Sequence, residues 1–492
     1  MSVQNISLFE SHVPRELGVG YHNVGTGVLR ASDKTTIDYV EAHYGQRCGH
    51  LPLDAQRVCV LVHALTDEIH SHLKYLSQLF GKEIKAITPD QLQQEQMRFS
   101  ERQALIVPYI NVPETEKQIQ NELGAESWGI PGDMVSFLKN KAEFYQFIDE
   151  FDLDGFRTPD YRVVHIADLH KAALGFLNTI EDVLKKASVP QYPLGVMLRA
   201  AESDGNYGCC LVYEQKNLVR VIPNGEVEHA RYYTSWDEAL MVSQKHLAAS
   251  MNQQKETRVV ISRYLDLADS PGMSVVIMNG QVESLGWNGQ LQQNGSKACI
   301  GTSTYRPATP SLARLQQEYE GQTLIYFEEL LRLAAQKCAV DFASIRGVAN
   351  IDIMLPGELE ETLQKNRGHK PFHYVAECNP RWTNYTDAIM TIIGVNRIEQ
   401  TVSNMIKVIT EDIATIDKYH LPEDIDPRVM RECIFQKDEV LKQSGTRIIC
   451  RMAKKPMGFI FAGNVNKAQQ EVASIIRHLT VKGFSPPQAA GF

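Results

Sequence analysis

Two short segments gather side chains that could bind a metal ion and a phosphate: Val348-Ala-Asn-Ile-Asp352-Ile-Met-Leu355 and His373-Tyr-Val-Ala-Glu377-Cys-Asn379-Pro-Arg381. In an extended strand, residues i and i+2 share a face. Glu377 and Asn379 then point together, and Asp352 shares its own strand's face with Asn350. If the two strands pair, Asp352, Glu377 and Asn379 converge as oxygen ligands. Two carboxylates and an amide oxygen suit Mg²⁺, a hard cation that also takes water and phosphate oxygens. Arg381, just past the strand end, can reach a phosphate with its planar fork. A solvated pair of acidic strands has the same spacing, so spacing alone leaves both readings open.

Such residues need a frame of strands and helices, and the rest of the chain supplies one. Val58 to Val62 predicts a strand. Thr66 follows as an N-cap, with Asp67 and Glu68 in the first turn, where the helix dipole favours anions. Ile69, Leu73, Leu76 and Phe80 recur at helical spacing, and Gly81 stops the helix. Glu83 to Thr88 and Ala104 to Ile110 read as further strands, giving a small α/β unit from about 55 to 125. His63, His70 and His72 read as solvated, because residues two apart on a helix cannot face one metal. Residues 1 to 54 carry little periodicity. Their run Gly18 to Gly27 could wrap a phosphate but lacks a strand before it and a helix after it.

Beyond Asn140, Phe144, Phe147, Ile148 and Phe151 mark a helix, and Asp154-Gly155 a turn into the strand Tyr161 to His165. Arg199 ends another strand, and a polar glycine loop leads to the strand Cys210 to Tyr213. Val259 to Leu265 and Ser274 to Met278 are strands. Leu324, Phe327, Leu331, Ala335 and Cys338 mark a long amphipathic helix. The tail has strands at Arg447 to Met452 and Met457 to Ala462, then an Asn466-capped helix, which reads as a separate closing module. Pro356 to Pro371 reads as a polar hairpin insertion, open to a substrate or a partner.

Composition narrows the function classes. The 492 residues are 43% hydrophobic and 22% charged, an ordinary core-building chain of about three domains. Fifty Lys+Arg against 59 Asp+Glu give a net charge of −9 with no basic block, so nucleic acid is not the expected partner. The apolar runs are strand-sized, far below the ~20 residues of a membrane helix. Met1 to Glu10 shows no signal-peptide pattern. The nine cysteines are scattered and contain no CxxC, which fits reduced thiols in a cytoplasmic protein.

Glu377-Cys-Asn-Pro-Arg381 after Gly347-Val-Ala-Asn-Ile-Asp352 resembles the metal-binding core of the ATP-grasp superfamily. Upstream segments fall in that family's order. Asn140-Lys141 with its helix and Gly155-x-x-x-Pro159 resembles the first nucleotide-binding lysine and the turn behind it. Arg199 with Gly205-Asn-Tyr-Gly208 resembles the strand and flexible loop over the triphosphate, where glycines let backbone N–H groups approach phosphate oxygens. Ile261-Ser-Arg-Tyr-Leu-Asp266 resembles the hinge strand, whose backbone at Arg263 and Leu265 would read the adenine edge. Asn294 to Gly301, with Lys297, resembles the polar stretch before the metal strands. Each motif is weak alone; their order over residues 135 to 400 carries the resemblance. Arg199 stands where the family usually has lysine, and Ser262 where it has an acid.

The resemblance implies an α+β chain. An N-terminal extension (1–54) and a pre-ATP-grasp α/β domain (55–130) precede an ATP-grasp domain (131–405) of two subdomains clasping ATP. A small C-terminal α/β module (406–492) follows. Within the superfamily it is similar to the pheganomycin-type peptide ligases. The implied activity is an ADP-forming, ATP-dependent carboxylate–amine ligase working through an acyl phosphate. Lys141 and Arg199 would hold the α- and β-phosphates, with Gly205 and Gly208 beside them. Asp352, Glu377 and Asn379 would hold two Mg²⁺ ions, Mn²⁺ being an alternative. Arg381 and Lys297 would clamp the transferring phosphoryl group. Expected partners are a small carboxylate and an amine, amino acids or short peptides, with a homodimer as the commonest assembly. The competing readings are a kinase on the same fold and a nucleotide-binding regulator without turnover. No general base stands out, since Tyr305, Arg306 and His373 qualify only by position. Substrate choice is expected in the loops 1–54, 290–310 and 356–372.

Overall fold

The computed structural model describes residues 17–23, 55, 57–62, 64–96, 104–122, 124–151, 156–203, 208–251, 255–292, 299–370, 372–403, 412–419 and 421–480. Helices and strands are mixed throughout, so the chain is α+β, as expected. Among the described residues no helix is long and apolar enough to cross a membrane.

The first sheet is parallel. Strands β1 (Leu17–Tyr21), β2 (Arg57–Leu61), β3 (Ile84–Ile87), β4 (Ala104–Pro108) and β5 (Glu126–Ser127) run in the order β3-β2-β1-β4-β5. Its helices are α1 (Asp67–Leu79), α2 (Pro89–Gln96) and α3 (Pro113–Lys117), and α4 (Gly132–Lys139) and α5 (Lys141–Phe151) follow. β1 is central, with Leu17 and Val19 buried. Residues 17–21 therefore belong to this sheet and not to an extension of it. Gly18 and Gly20 lie inside the strand, where they thin the apolar alternation enough to hide it; Gly25 and Gly27 lie outside the described residues. Thr66 caps α1 by accepting the N–H of Ile69 at 3.3 Å. His70 is exposed, but His72 is fully buried and stacks on Tyr75 at 5.9 Å, correcting its reading as solvated. It lies on the same face of α1 as Ile69, Leu73 and Leu76. His63 lies outside the described residues.

A short strand β6 (Phe156–Arg157) precedes a second, antiparallel sheet. This comprises β7 (Tyr161–His165), β8 (Gly195–Ala200), β9 (Cys209–Gln215), β10 (Leu218–Pro223), β11 (Arg231–Tyr233) and β12 (Arg258–Arg263). The order is β11-β10-β9-β8-β12-β7. Helices α6 (Leu169–Lys186) and α7 (Trp236–Ser250) cover one face and close a core of their own.

The third sheet has ten strands. After β13 (Leu267–Asp269) come β14 (Gly272–Met278), β15 (Gln281–Gln292), β16 (Cys299–Thr304), β17 (Arg346–Pro356) and β18 (His373–Asn379), then β19 (Ile413–Tyr419), β20 (Arg447–Cys450) and β21 (Met457–Ala462). Its order is β20-β21-β19-β16-β15-β14-β17-β18-β6, with β13 pairing β17 off the path. The helices are α8 (Pro310–Lys337), α9 (Glu358–Asn366), α10 (Asn384–Ser403), α11 (Pro427–Leu441) and α12 (Val465–Leu479).

Two expectations change here. The tail is not a separate module, because β19 pairs directly with β16 and carries β21 and β20 onto the same sheet. From α11, Arg431 donates to the Ala453 carbonyl at 2.8 Å and to Ser71 on α1 at 3.0 Å, while Tyr75 accepts the N–H of Cys450 at 3.0 Å. One hydrophobic core runs from Val58 through the large sheet to Ile476. Asn464, not Asn466, caps α12 by accepting the Lys467 N–H at 3.0 Å. The second change is that residues 358–366 form helix α9, not a hairpin, with Glu360, Leu363 and Gln364 buried on one face. Leu363 enters the core of the six-stranded sheet, although α9 connects two strands of the ten-stranded one.

Candidate active site

β17 and β18 pair antiparallel with Asp352 opposite Glu377 and Asn350 opposite Asn379. The four polar residues thus share one face of the pair. Asn350 donates to Asp352 Oδ1 at 2.7 Å; Asn379 donates to Asp352 Oδ2 at 3.2 Å and to Glu377 Oε1 at 3.4 Å. The row continues onto β14 and β15, where Ser274 donates to Asn350 Oδ1 and Asn288 donates to both, each at 2.9 Å. Burial, and then the charge of Glu377, push the Asp352 carboxyl well above the usual carboxylate range.

Among the described residues no group of three or more His, Cys, Asp or Glu side chains could hold a metal ion. A cation here would depend on the two carboxylates and the amide oxygen of Asn379. That donor set fits a hard cation, whose charge would relieve the crowding of two facing carboxylates. Asn379 turns its amide nitrogen to the carboxylates while its Oδ1 accepts from Arg381 at 3.1 Å. Ligation through Oδ1 requires the amide to turn over and release Arg381.

Cationic groups reach this face from other elements. Lys141 opens α5, and its own N–H donates to the Ala201 carbonyl at 2.8 Å. Its buried ammonium lies 3.0 Å from Glu377 Oε2 and also donates to the Ser203 carbonyl. Arg199 on β8 donates to the Ala376 carbonyl on β18 at 3.1 Å and to the hydroxyl of Tyr145, with its guanidinium 5.2 Å from that ring. It therefore bridges the two antiparallel sheets. Gly208 opens the way into β9 with φ +70°, a conformation that L side chains rarely adopt. Gly205 and Lys297 lie outside the described residues.

Arg381 is held by Asn379 Oδ1 and by the Trp382 carbonyl at 3.2 Å, with its guanidinium 5.9 Å from the centre of the Tyr109 ring. The Trp382 N–H donates to the Tyr109 carbonyl at 3.1 Å. Tyr109 lies just past the end of β4, beside Asn23 past the end of β1, which exchanges hydrogen bonds with Ile110 at 2.8 and 3.1 Å. These are the carboxyl ends of the two strands between which the parallel order reverses, where α/β sheets hold their ligands. Sequence reading missed Tyr109, Asn23, Tyr145, Ser274 and Asn288. Only the polar ladder Ser274–Asn288–Asn350 left a trace, as polar residues inside otherwise apolar strands.

The segment expected to read the base lies at the end of β12 and just after it. Ser262 is buried against the Met197 carbonyl. The N–H of Arg263 donates to the Asp160 carbonyl at 2.9 Å, so that amide cannot meet a ligand and only the carbonyl of Arg263 is available there. The Arg263 side chain enters a buried cluster with Glu360. The N–H groups of Tyr264 and Asp266 are also taken, by the Gly195 carbonyl at 2.9 Å and the Tyr192 hydroxyl at 2.8 Å. Leu265 is buried, and its N–H has no partner among the described residues.

The base candidates are occupied. Tyr305 donates to Asp269 at 2.8 Å, and burial together with that carboxylate raises its pKa. Arg306 pairs with Asp412. Burial pushes the His373 imidazole down to about 4.

No protein-family model matches this chain, and no curated protein matches it. Several solved structures are similar in chain course. The biotin carboxylase domain of the Hydrogenobacter thermophilus 2-oxoglutarate carboxylase, solved with MgADP, ADP and bicarbonate, aligns with a TM-score of 0.49 at 11% identity. That alignment covers 94% of this chain and 90% of that one. Biotin carboxylase from Campylobacter jejuni, solved with β-γ-ATP, aligns at 0.48 and 10% identity over 93% and 90%. N5-carboxyaminoimidazole ribonucleotide synthetase from Thermus thermophilus aligns at 0.45 and 13% identity over 95% and 100%.

Proposed function

We propose that this chain is an ATP-grasp enzyme that uses ATP to join a small carboxylate to an amine, releasing ADP and phosphate. The observation that carries the reading is the register of β17 and β18. It sets Asp352 against Glu377 on a half-buried polar face, with Lys141 and Arg199 arriving there from two other elements. Facing carboxylates beside buried cations are costly for a fold and useful to a phosphoryl-transfer site.

In this reading a carboxylate oxygen of the substrate attacks the γ-phosphorus of ATP, the bond to the β-phosphate oxygen breaks, and ADP leaves. The amine nitrogen then attacks the acyl carbon and phosphate departs with the bridging oxygen. The amine's extra proton passes to phosphate or solvent. Lys141 and Arg199 bind the phosphates, and Arg199 does so from a guanidinium already fixed by Tyr145 and the Ala376 carbonyl. The donor and acceptor offered by the Leu265 N–H and the Arg263 carbonyl match the edge of adenine. Asp352, Glu377 and Asn379 would hold Mg²⁺, which neutralises charge on the β- and γ-phosphate oxygens. Arg381, beside the carboxyl ends of β1 and β4, orients the substrate carboxylate and stabilises the acyl-phosphate oxygens. Lys297 is proposed for the same clamp on resemblance alone. Amino acids or short peptides, joined as in pheganomycin-type ligases, are the proposed substrates.

The test is hydroxamate formation from Mg·ATP, hydroxylamine and pooled amino acids and peptides, with Glu377→Ala as the blank. Hydroxamate matched by ADP identifies the acyl phosphate. ADP release by Glu377→Ala at the wild-type rate would sink the site.

A further inference from the structure

Helix α9 does more than connect the two strands that carry the carboxylates. It begins on the hinge, because Asp266 accepts the Gly357 N–H on its carbonyl at 2.8 Å and the Leu359 N–H on Oδ2 at 3.0 Å. A side chain at Gly357 would come within 2.5 Å of that carboxylate, so the helix end and the hinge are in direct contact. One turn on, the fully buried Glu360 receives Arg263 through both guanidinium nitrogens at 2.8 Å, and the hydroxyls of Tyr374 at 2.6 Å and of Tyr192. Tyr192 in turn accepts from Arg263 at 3.0 Å and from the Asp266 N–H at 2.8 Å. The far end of α9 is anchored too, where Asn366 donates to the Ala187 carbonyl at 2.8 Å and Arg367 reaches Asp160 at 2.9 Å.

Every bond in this cluster acts on residues 263–266 or on what holds them. Three of those four backbone N–H groups end on protein partners, and the one without a partner among the described residues belongs to Leu265. A buried hub that fixes both neighbours of a single such amide is built to aim it. We propose that Glu360 is a positioning residue: through Arg263 and Tyr192 it sets the hinge backbone so that the Arg263 carbonyl and the Leu265 N–H present one acceptor and one donor at a fixed spacing. A 6-aminopurine offers the complementary pair, whereas a 6-oxopurine meets the same edge with donor against donor. Glu360 thereby determines discrimination between adenine and guanine nucleotides, although it touches neither. Because α9 joins β17 to β18, the same clamp ties the base-reading end of the cleft to the strands of the phosphate end. This inference rests on the nucleotide reading of the cleft.

The experiment is titration calorimetry of Mg·ATP and Mg·GTP with the full chain, as wild type, Glu360→Gln and Tyr192→Phe. The wild type is expected to prefer ATP by roughly a hundredfold, the upper end of what one buried polar group left unsatisfied costs. Tyr192→Phe removes one hydroxyl and leaves the ion pair in place. It is expected to weaken ATP roughly tenfold and GTP little, so that the preference narrows. Glu360→Gln should narrow it further; if that variant fails to fold by circular dichroism, Tyr192→Phe decides. An unchanged ATP:GTP ratio in folded Tyr192→Phe, or equal weakening of both nucleotides, overturns the role of the hub. A wild type that binds ATP no better than GTP, or not at all, overturns the nucleotide reading, and the hub's role falls with it.

Discussion

On α9, the buried carboxylate of Glu360 receives four hydrogen bonds and faces a guanidinium that matches it in charge and shape. On β17 and β18, Asp352 and Glu377 face each other across two strands, bridged by the amide nitrogen of Asn379. Burial pushes both Glu360 and Asp352 up. At Glu360 the bonds and charge of Arg263 more than offset it and hold the carboxyl low, whereas at Asp352 the neighbouring Glu377 adds to the rise. Glu360 has a guanidinium to itself, whereas Glu377 shares the Lys141 ammonium with a second carboxylate facing it, and that crowding is what a cation from outside the chain would relieve. Burial differs as well, because Glu360 is fully buried whereas Asp352 and Glu377 are half-buried, so the contrast arises from local partners and exposure together.

The largest effect expected is on stability at the matched end. Glu360→Ala leaves Arg263 buried without its partner and should cost about 3–5 kcal/mol in urea denaturation. A loss below about 1 kcal/mol would erase the contrast. At the facing carboxylates, Glu377→Ala should lower Mg·ATP turnover more than roughly a hundredfold, since losing groups one shell further out already costs up to that much. Its circular dichroism should stay that of the folded chain. The pH response sharpens the comparison. Asp352 is raised in the fold from 3.8 to about 7, so the unfolded chain releases that proton first as pH rises. Its contribution is complete below the ordinary carboxylate range and is lost as pH climbs through about 7. In chelator, Asp352→Asn should therefore flatten the fall in melting temperature between pH 4 and 7; a fall as steep as wild type's would place the titration elsewhere. The smallest effect is Arg199→Lys. It keeps the charge but cannot serve Tyr145 and the Ala376 carbonyl at once, and ATP turnover should fall by less than about tenfold. A larger drop in the rate measurement would make the fork itself necessary.

Legibility differed between the two ends for the same reason. Asp352, Glu377, Asn379 and Arg381 could be read because strand alternation turns spacing into facing, and the register follows once the strands pair. Lys141 and Arg199 were legible only through the resemblance to the ATP-grasp motif order. Glu360 was not, because in Gly357-Glu-Leu-Glu-Glu361 it reads as a solvated acid like its neighbours. Only packing of α9 on the other sheet separates it from Glu358 and Glu361. His72 was misread likewise, as an isolated histidine on a helix whose buried face includes it.

The sequence by itself determined the α+β pattern, most strands and caps, and the order of the polar motifs. These depend on periodicities and hydrogen bonds that act over a few residues. Tertiary structure alone decided that β1 lies at the centre of its sheet, that β19 to β21 continue the large sheet, and that α9 ties residues 263–266 to β17 and β18. Those outcomes depend on contacts between residues tens to hundreds of positions apart, and no local pattern encodes which buried charge will meet which.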